Sequence, residues 1–541
     1  MTQMTPPPPP VPPASQLPAT LSEDRGIVRA AAVLAVGNVL SRVLGLARTL
    51  AITAFFGASG PVSAYRIAIF IPMSIFQLIV GGEMVNSSLV PVFSEFAASD
   101  EPEKRAELWT VVNAFLTLAL LALTLLVLIV ELFAPQFALL LGAGKFSDVT
   151  LQATTVRLMR IATPAVLFLS LANLLSGVLY ALKRFTLPAF TAATLNATIV
   201  VFAFLGATVD ALVWGLLVGT LLQVILQLPA LRDARLRFNF NWRHPALRRI
   251  FILYLPIVVS LLVNQVAIGF SYRLATGEGD QSIAFMDVAT TLLQFPLGLV
   301  VTALSIATLP TLSRHASRLE WGAYRETLAG GLRLVLTLIL PATVGLFALA
   351  VPIVRLLFER GAFTPADTEI TALVLRAYLF GLPFAAVDQM LVFASYARQD
   401  TWRPALVGFV SIAIYSLVAV LLLRPLSLLS LMVADAVKHA VHTLLMLWLL
   451  ERGLGGLRGY RIGSGLLKTI VASLLTAVVA AAAGALLQSW LPADTFISRL
   501  LIVVGAGTAG LLVFIGTAWL IDLREVKMLL RLLGTRVRRR A

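Results

Sequence analysis

Fourteen times along 541 residues the sequence runs for about 20 residues with few charges before a glycine, a proline or a charged cluster interrupts it. Twenty helical residues are the thickness of a bilayer's hydrocarbon core. In lipid each backbone N–H and C=O must bond within its own segment, so such runs fold as helices. They lie near 28–56, 65–92, 107–134, 152–181, 188–207, 211–230, 249–274, 283–311, 328–351, 369–397, 403–423, 427–450, 464–488 and 497–521. The expected fold class is an all-α polytopic membrane protein with 14 transmembrane helices. Composition agrees: 13% of residues are charged, where a soluble domain carries about 25%. With no cysteine, disulfides, thiolate metal sites and cysteine nucleophiles are excluded.

The net charge of +15 would suit nucleic acid were it spread over a surface. The basic residues instead fall between the spans, where they set orientation. Connections two, four and six carry Lys104 and Arg105, Lys183 and Arg184, and the six arginines of "RDARLRFNFNWRHPALRR". Arg314, Arg318 and Arg325, then Arg398 and Arg403, then Arg452, Arg458 and Arg461 continue the series. Odd-numbered connections hold few: Lys145, Arg355, Arg360, Arg424 and Arg499. Both termini are therefore expected in the cytoplasm, with the basic tail 523–541 lying against anionic headgroups. Residues 1–26, with the run Pro6–Pro10, lack the basic start and apolar stretch of a signal peptide. They read as a disordered proline-rich cytoplasmic tail.

A repeat lies beneath the spans. Leu141 and Leu357, Arg160 and Arg376, Tyr180 and Tyr396, Ala181 and Ala397, and Pro188 and Pro404 all pair at a spacing of 216 residues. Pro91 and Ser94 match Pro310 and Ser313 at 219. A unit of six helices returns the chain to its starting side, so two units are parallel repeats with a substrate site expected between them. The predicted organisation is a six-helix lobe over 27–232, a second over 233–452, and two additional helices over 453–522.

Charges inside the spans are the functional candidates, since a guanidinium at bilayer depth costs about 2.5 kcal/mol or more. "NVLSRVLGLARTLAITAFFG", residues 38–57, holds Arg42 and Arg48. Six helical residues separate them by about 9 Å along the axis and about 120° around it, so both can border one cavity. Arginine forks bind phosphate oxygens in pairs and never lose their charge. Glu83, after Gly81 and Gly82, is a partner candidate in a broken second helix. Arg273 could add a charge from the outer side. Asp435, Lys438, His439 and His442 share a stretch of the twelfth span, as a polar cluster, a proton relay or part of a metal site. Asp287 and Asp388 are expected to pair with nearby cations. No Walker motif or nucleophile elbow stands in its required context, so no enzyme activity, cofactor or metal is expected.

The segments "SRVLGLART", "LVPVFSEF", "HPALRRIFILYLPIVVS", "QFPLGLV", "TLPTLSRHAS", "LFERGAFTPADT" and "YARQDTWRP" resemble the MurJ (MviN) family of lipid II flippases. That family lies within the multidrug/oligosaccharidyl-lipid/polysaccharide exporter superfamily, and the resemblance runs from about residue 30 to 520. It implies a V-shaped 14-helix transporter of the bacterial cytoplasmic membrane. Its substrate would be undecaprenyl-pyrophosphate-linked muropeptide, moved from inner to outer leaflet during peptidoglycan synthesis. It also implies a central cationic cavity for the pyrophosphate and a groove on the two extra helices for the polyprenyl tail. Arg42 and Arg48 sit at the family's first-helix arginine positions, and with Ser41, Glu83 and Arg273 they form the expected substrate-binding set. The family's acid after the second arginine is Thr49 here, and the acid atop helix 2 is replaced near Ser63. The arginine within helix 2 is Phe76 or Gln77, the arginine of helix 8 is Thr291, and residues 403–423 hold no acid for a sodium ion. The altered cavity leaves two other readings: a flippase for another polyprenyl-linked glycan, or a non-transporting scaffold in a cell-wall synthesis complex.

Overall fold

The computed structural model describes residues 19–531 apart from 98–101, 207, 233, 235, 458, 493–494 and 529. Residues 1–18 of the proline-rich tail and 532–541 of the basic tail lie outside the described residues. Among the described residues every regular element is helical. The first half contains α1 (Ala19–Phe56), α2 (Gly60–Val80), the one-turn α3 (Gly82–Met84), a π-helical turn (Val85–Leu89) and α4 (Val90–Ala97). It continues through α5 (Pro102–Leu132), α6 (Ala134–Leu140), α7 (Val149–Ala162), α8 (Ala165–Ala181), α9 (Thr191–Leu205) and α10 (Asp210–Gln227). The second half opens with α11 (Pro245–Ala275), α12 (Ser282–Pro296), a second π turn (Leu297–Val301), α13 (Thr302–Ser317) and α14 (Trp321–Ala348). It closes with α15 (Ala350–Phe358), α16 (Pro365–Leu379), α17 (Leu382–Ala397), α18 (Trp402–Leu426) and α19 (Leu429–Leu454). The additional pair is α20 (Ile462–Trp490) and α21 (Phe496–Leu520). Thirteen helices are long and apolar enough to cross a membrane, and fourteen if α16 and α17, bent by 45°, count as one span.

α1 starts at Ala19, inside the tail that composition assigned to disorder. After Pro18 no proline or glycine interrupts "ATLSEDR", and proline is tolerated just ahead of a helix. The second span breaks at its glycines, as the broken-helix reading of Glu83 required. Gly81 leaves helical geometry at ψ 167, and the amide of Asn173 on α8 donates to the Val80 carbonyl that the break exposes.

The repeat is visible in the helix boundaries. α6 and α15 start 216 residues apart, as do α7 and α16, while α8 and α17 end at that spacing. Each α7 or α16 begins on a side-chain cap. The Asp148 carboxylate accepts from the N–H of Thr150 at 2.8 Å, and Thr364 and Asp367 form a reciprocal capping box. The Thr150 hydroxyl also donates to Asp148 and holds its carboxyl below the usual range.

The two halves meet at the end carrying the 57–59, 141–148, 276–281 and 359–364 turns. Asp280 accepts from the N–H groups of Ser147 and Asp148 at 2.7 and 3.2 Å. Ala362 N–H donates to the Ala54 carbonyl at 2.8 Å. Gly361, at φ +60, permits that approach, since a Cβ there would lie 2.1 Å from the Ala54 oxygen. α11 is shared between the halves. Leu247, Ile250 and Tyr254 near its start pack into the core of α5 and α8, whereas Ser271 near its end meets Tyr415 on α18. A lobe boundary at 233 therefore divides the chain in sequence more sharply than in space. α20 and α21 pack on each other at small residues, Gly510 against Thr476 and Ala480, and α20 lies on α14.

Candidate functional site

α1 passes from exposed to buried as it approaches the junction of the halves. Val36, Val39 and Val43 are exposed, while Thr49, Ala51, Ile52 and Thr53 are buried. Arg42 lies on the exposed side of that transition and Arg48 is half-buried. The Arg42 guanidinium reaches the π turn between α12 and α13, where a Cβ on Gly298 would fall 2.3 Å from Nη1. A glycine in this turn is what admits a first-half arginine against a second-half helix. The carbonyl of Ser41 accepts from the Asn196 amide of α9 at 3.2 Å, so Ser41 anchors α1 through its backbone.

Arg48 has company that the resemblance did not point to. Arg66, Tyr65 and Asp287 are all close enough to act on its charge. Arg66, on α2, is 9% exposed and makes an ion pair with Asp287 on α12. Its guanidinium also lies 5.5 Å from the centroid of the Tyr65 ring, a cation–π distance. The Arg66–Asp287 pair joins the two halves. The Nε atoms of both Arg48 and Arg66 are buried with no hydrogen-bond partner. A buried donor left unmade costs about 1–3 kcal/mol, so each of these two arginines holds a donor for which the protein supplies no acceptor.

The positions where the MurJ pattern has other charges are neutral and occupied. The side chain of Gln265 on α11 donates to Gln77 at 3.0 Å and accepts from Ser74 at 3.1 Å. Thr291 hydrogen-bonds the Asp287 carbonyl at 2.9 Å, and Thr49 is buried. Arg273 has a separate place: its Nη1 donates to the carbonyls of Leu139 and Leu140 at the end of α6. The structure thus sets Arg42 against the π turn at Gly298, Arg48 near Arg66 and Asp287, and Arg273 at a helix end. The side chain of Glu83 lies outside the described residues. Arg66 was the missed residue, although a lone arginine in "SAYRIAIFIP" is itself a signal of an intramembrane function.

A second polar centre lies within the second half, in a cavity of about 540 Å3 lined by α11, α12, α16, α17, α18 and α19. His442 meets Asp388 at 2.5 Å. Asp435 meets Lys438 at 2.5 Å and His439 at 3.7 Å. Asp388 and Asp287 therefore do pair with nearby basic groups. Among the described residues no group of three or more His, Cys, Asp or Glu is arranged for a metal ion.

A bundle of 13 or 14 apolar helices, with a repeat in its helix boundaries, a cationic centre where the two halves meet and an added helix pair, defines a polytopic membrane protein. Solved structures agree on the fold. The inward closed conformation of a "Lipid II flippase MurJ" aligns with TM-score 0.73 at 23% identity, covering 90% of this chain and 97% of the other. An inward-facing multidrug resistance MATE family transporter of the MOP superfamily aligns with TM-score 0.63 at 12% identity, covering 77% and 95%. The sequence pattern of "Lipid II flippase MurJ" matches residues 52–501. A "Probable lipid II flippase MurJ" from Bdellovibrio bacteriovorus is 31% identical over 447 residues, 81% of this chain and 85% of the relative. The chain belongs to the MurJ lipid II flippase family.

Proposed function

We propose that this protein carries lipid II across the bacterial cytoplasmic membrane by alternating access, with Arg42, Arg48 and Arg66 neutralising the pyrophosphate in transit. The observation that carries the reading is the pair of buried, unpartnered Nε donors on Arg48 and Arg66 at the seam between the halves. A pyrophosphate is multiply anionic and rich in acceptor oxygens, and arginine forks match it bidentately. Arg42, exposed and nearer the α1 start, meets the headgroup first; Arg48 and Arg66 take it deeper. Asp287 holds Arg66 until the substrate's oxygens compete for it, a differential contact of the kind that shifts a two-state equilibrium. Arg66 thus stands in for the arginines that helices 2 and 8 lack. The polyprenyl tail runs along α20 and α21, and anionic lipids hold the basic C-terminal tail.

Complementation tests the function: the chain should sustain growth and cell shape when a bacterium's own lipid II flippase is depleted. Failure of a well-inserted chain to do so would point to another polyprenyl-linked glycan or to a scaffold.

The positive-inside pattern supports a topology with both termini in the cytoplasm and the closed end of the bundle outside. In this cysteine-free chain, Phe238→Cys should react with an impermeant thiol reagent from the cytoplasmic face and Val149→Cys from the outer face. Both positions are strongly exposed, at 78% and 82%. The reverse pattern would overturn the orientation.

A further inference from the structure

The cavity of the second half shares a wall with the arginine site at Asp287. Its charges are settled among themselves. Asp287 faces Arg66 and Arg48, Asp435 is held by Lys438, and Asp388 meets His442. Three carboxylates thus stand against three fixed cations, and no further ion is needed for balance.

What stands free in the cavity is neutral. Asn264 on α11 and Gln294 on α12 line it, and both are exposed to it. Neither side-chain amide makes a hydrogen bond to any described residue. Each carries two N–H donors and an acceptor oxygen. Unpartnered amides within membrane-spanning helices cost free energy unless something polar meets them. Tyr272, Tyr378 and Tyr415 face in from α11, α16 and α18, each with an apolar ring and a polar tip. Amides and phenols in one enclosure match a pyranose, whose hydroxyls take hydrogen bonds while its C–H face lies on an aromatic ring. The volume of about 540 Å3 falls within the roughly 300–1,000 Å3 of small-molecule sites. An acetamido group completes the match. Its N–H meets an amide oxygen, its C=O meets an amide N–H, and its methyl is left for Leu293 or Leu297 in the same wall.

We infer that this cavity seats an N-acetylated sugar of the carried headgroup, with Asn264 and Gln294 as its recognition residues, a role that rests on the pyrophosphate reading of the arginine site. In a glycosyl pyrophosphate the first sugar is bonded directly to a phosphate oxygen. Phosphates at Arg48 and Arg66 therefore bring that sugar to the Asp287 wall, on whose other side the free amides wait. The arginines neutralise the charge, and the second-half cavity reads the glycan.

The test separates sugar from phosphate. Saturation-transfer NMR on the full chain in nanodiscs uses N,N′-diacetylchitobiose, which has no phosphate, and cellobiose, the corresponding disaccharide without acetamido groups. Diacetylchitobiose should bind, with strongest transfer at its methyl groups, and cellobiose at least about tenfold more weakly, the loss of one or two hydrogen bonds. Equal binding of both, or of neither, would overturn the assignment, and this wild-type comparison stands even where a variant fails to fold. Asn264→Ala combined with Gln294→Ala should abolish the transfer to diacetylchitobiose; transfer that persists would place the sugar elsewhere. In a second arm, wild type should bind lipid II at least about tenfold more tightly than undecaprenyl pyrophosphate, which carries no sugar. The double variant should narrow that ratio about tenfold, and a ratio left unchanged would contradict the proposal. Failure of undecaprenyl pyrophosphate to bind, with diacetylchitobiose transfer intact, would instead sink the pyrophosphate reading and leave the sugar site standing.

Discussion

Arg48→Ala is expected to abolish transport of lipid II while leaving membrane insertion and helicity unchanged. A charge removed from bilayer depth cannot hinder insertion. What is lost is the fork that meets the pyrophosphate, including a buried Nε for which the protein itself supplies no acceptor. Arg48→Lys should recover part of the activity, since it keeps the charge but loses the planar paired donors. Leaflet exchange in proteoliposomes, together with circular dichroism of the same preparation, separates the two effects. Full activity in Arg48→Ala would mean that Arg48 is a packing residue.

The second large effect is on stability. Asp287→Asn removes one member of a half-buried ion pair and strands the buried Arg66, a loss below the roughly 3–5 kcal/mol of a fully buried pair. The melting temperature should fall clearly, and lipid II should restore it more in Asp287→Asn than in the wild type, because the substrate then supplies the missing anion. Arg66→Gln with Asp287→Asn should be more stable than Asp287→Asn alone, since no charge is stranded. If Arg66 only ties the halves together, that double variant should also transport. If Arg66 binds pyrophosphate, it should be stable and inactive. Thermal unfolding and transport measured on both variants decide between these.

Much of the fold was legible because a bilayer leaves a chain few choices. Twenty apolar residues force a helix, and the 216-residue register returned as matching helix boundaries, down to the caps at Asp148 and Thr364. The sharing of α11 was not legible, because apolar residues recur from its start to its end and nothing local says which neighbour each meets. The site was half legible. Arg42 and Arg48 stand out within one helix, but Arg66 and Asp287 lie 221 residues apart and become a pair only when the halves close. Comparison with the MurJ pattern drew attention to arginines that are missing and away from one placed a few turns earlier on the same helix. Asp388 and His442, 54 residues apart, were likewise assigned as partners in kind but not to each other.

The central claim is that the seam arginines carry a pyrophosphate across the membrane. It is tested most directly by reconstituting the wild-type chain in liposomes with fluorescent lipid II. A parallel sample holds the same glycan on a polyprenyl chain through a neutral linkage. Fluorescence quenching from outside then reports leaflet exchange for each. Exchange of lipid II well above that of protein-free vesicles, with the neutral analogue left at background, is the predicted result. Equal exchange of both lipids, or exchange of neither, would contradict it.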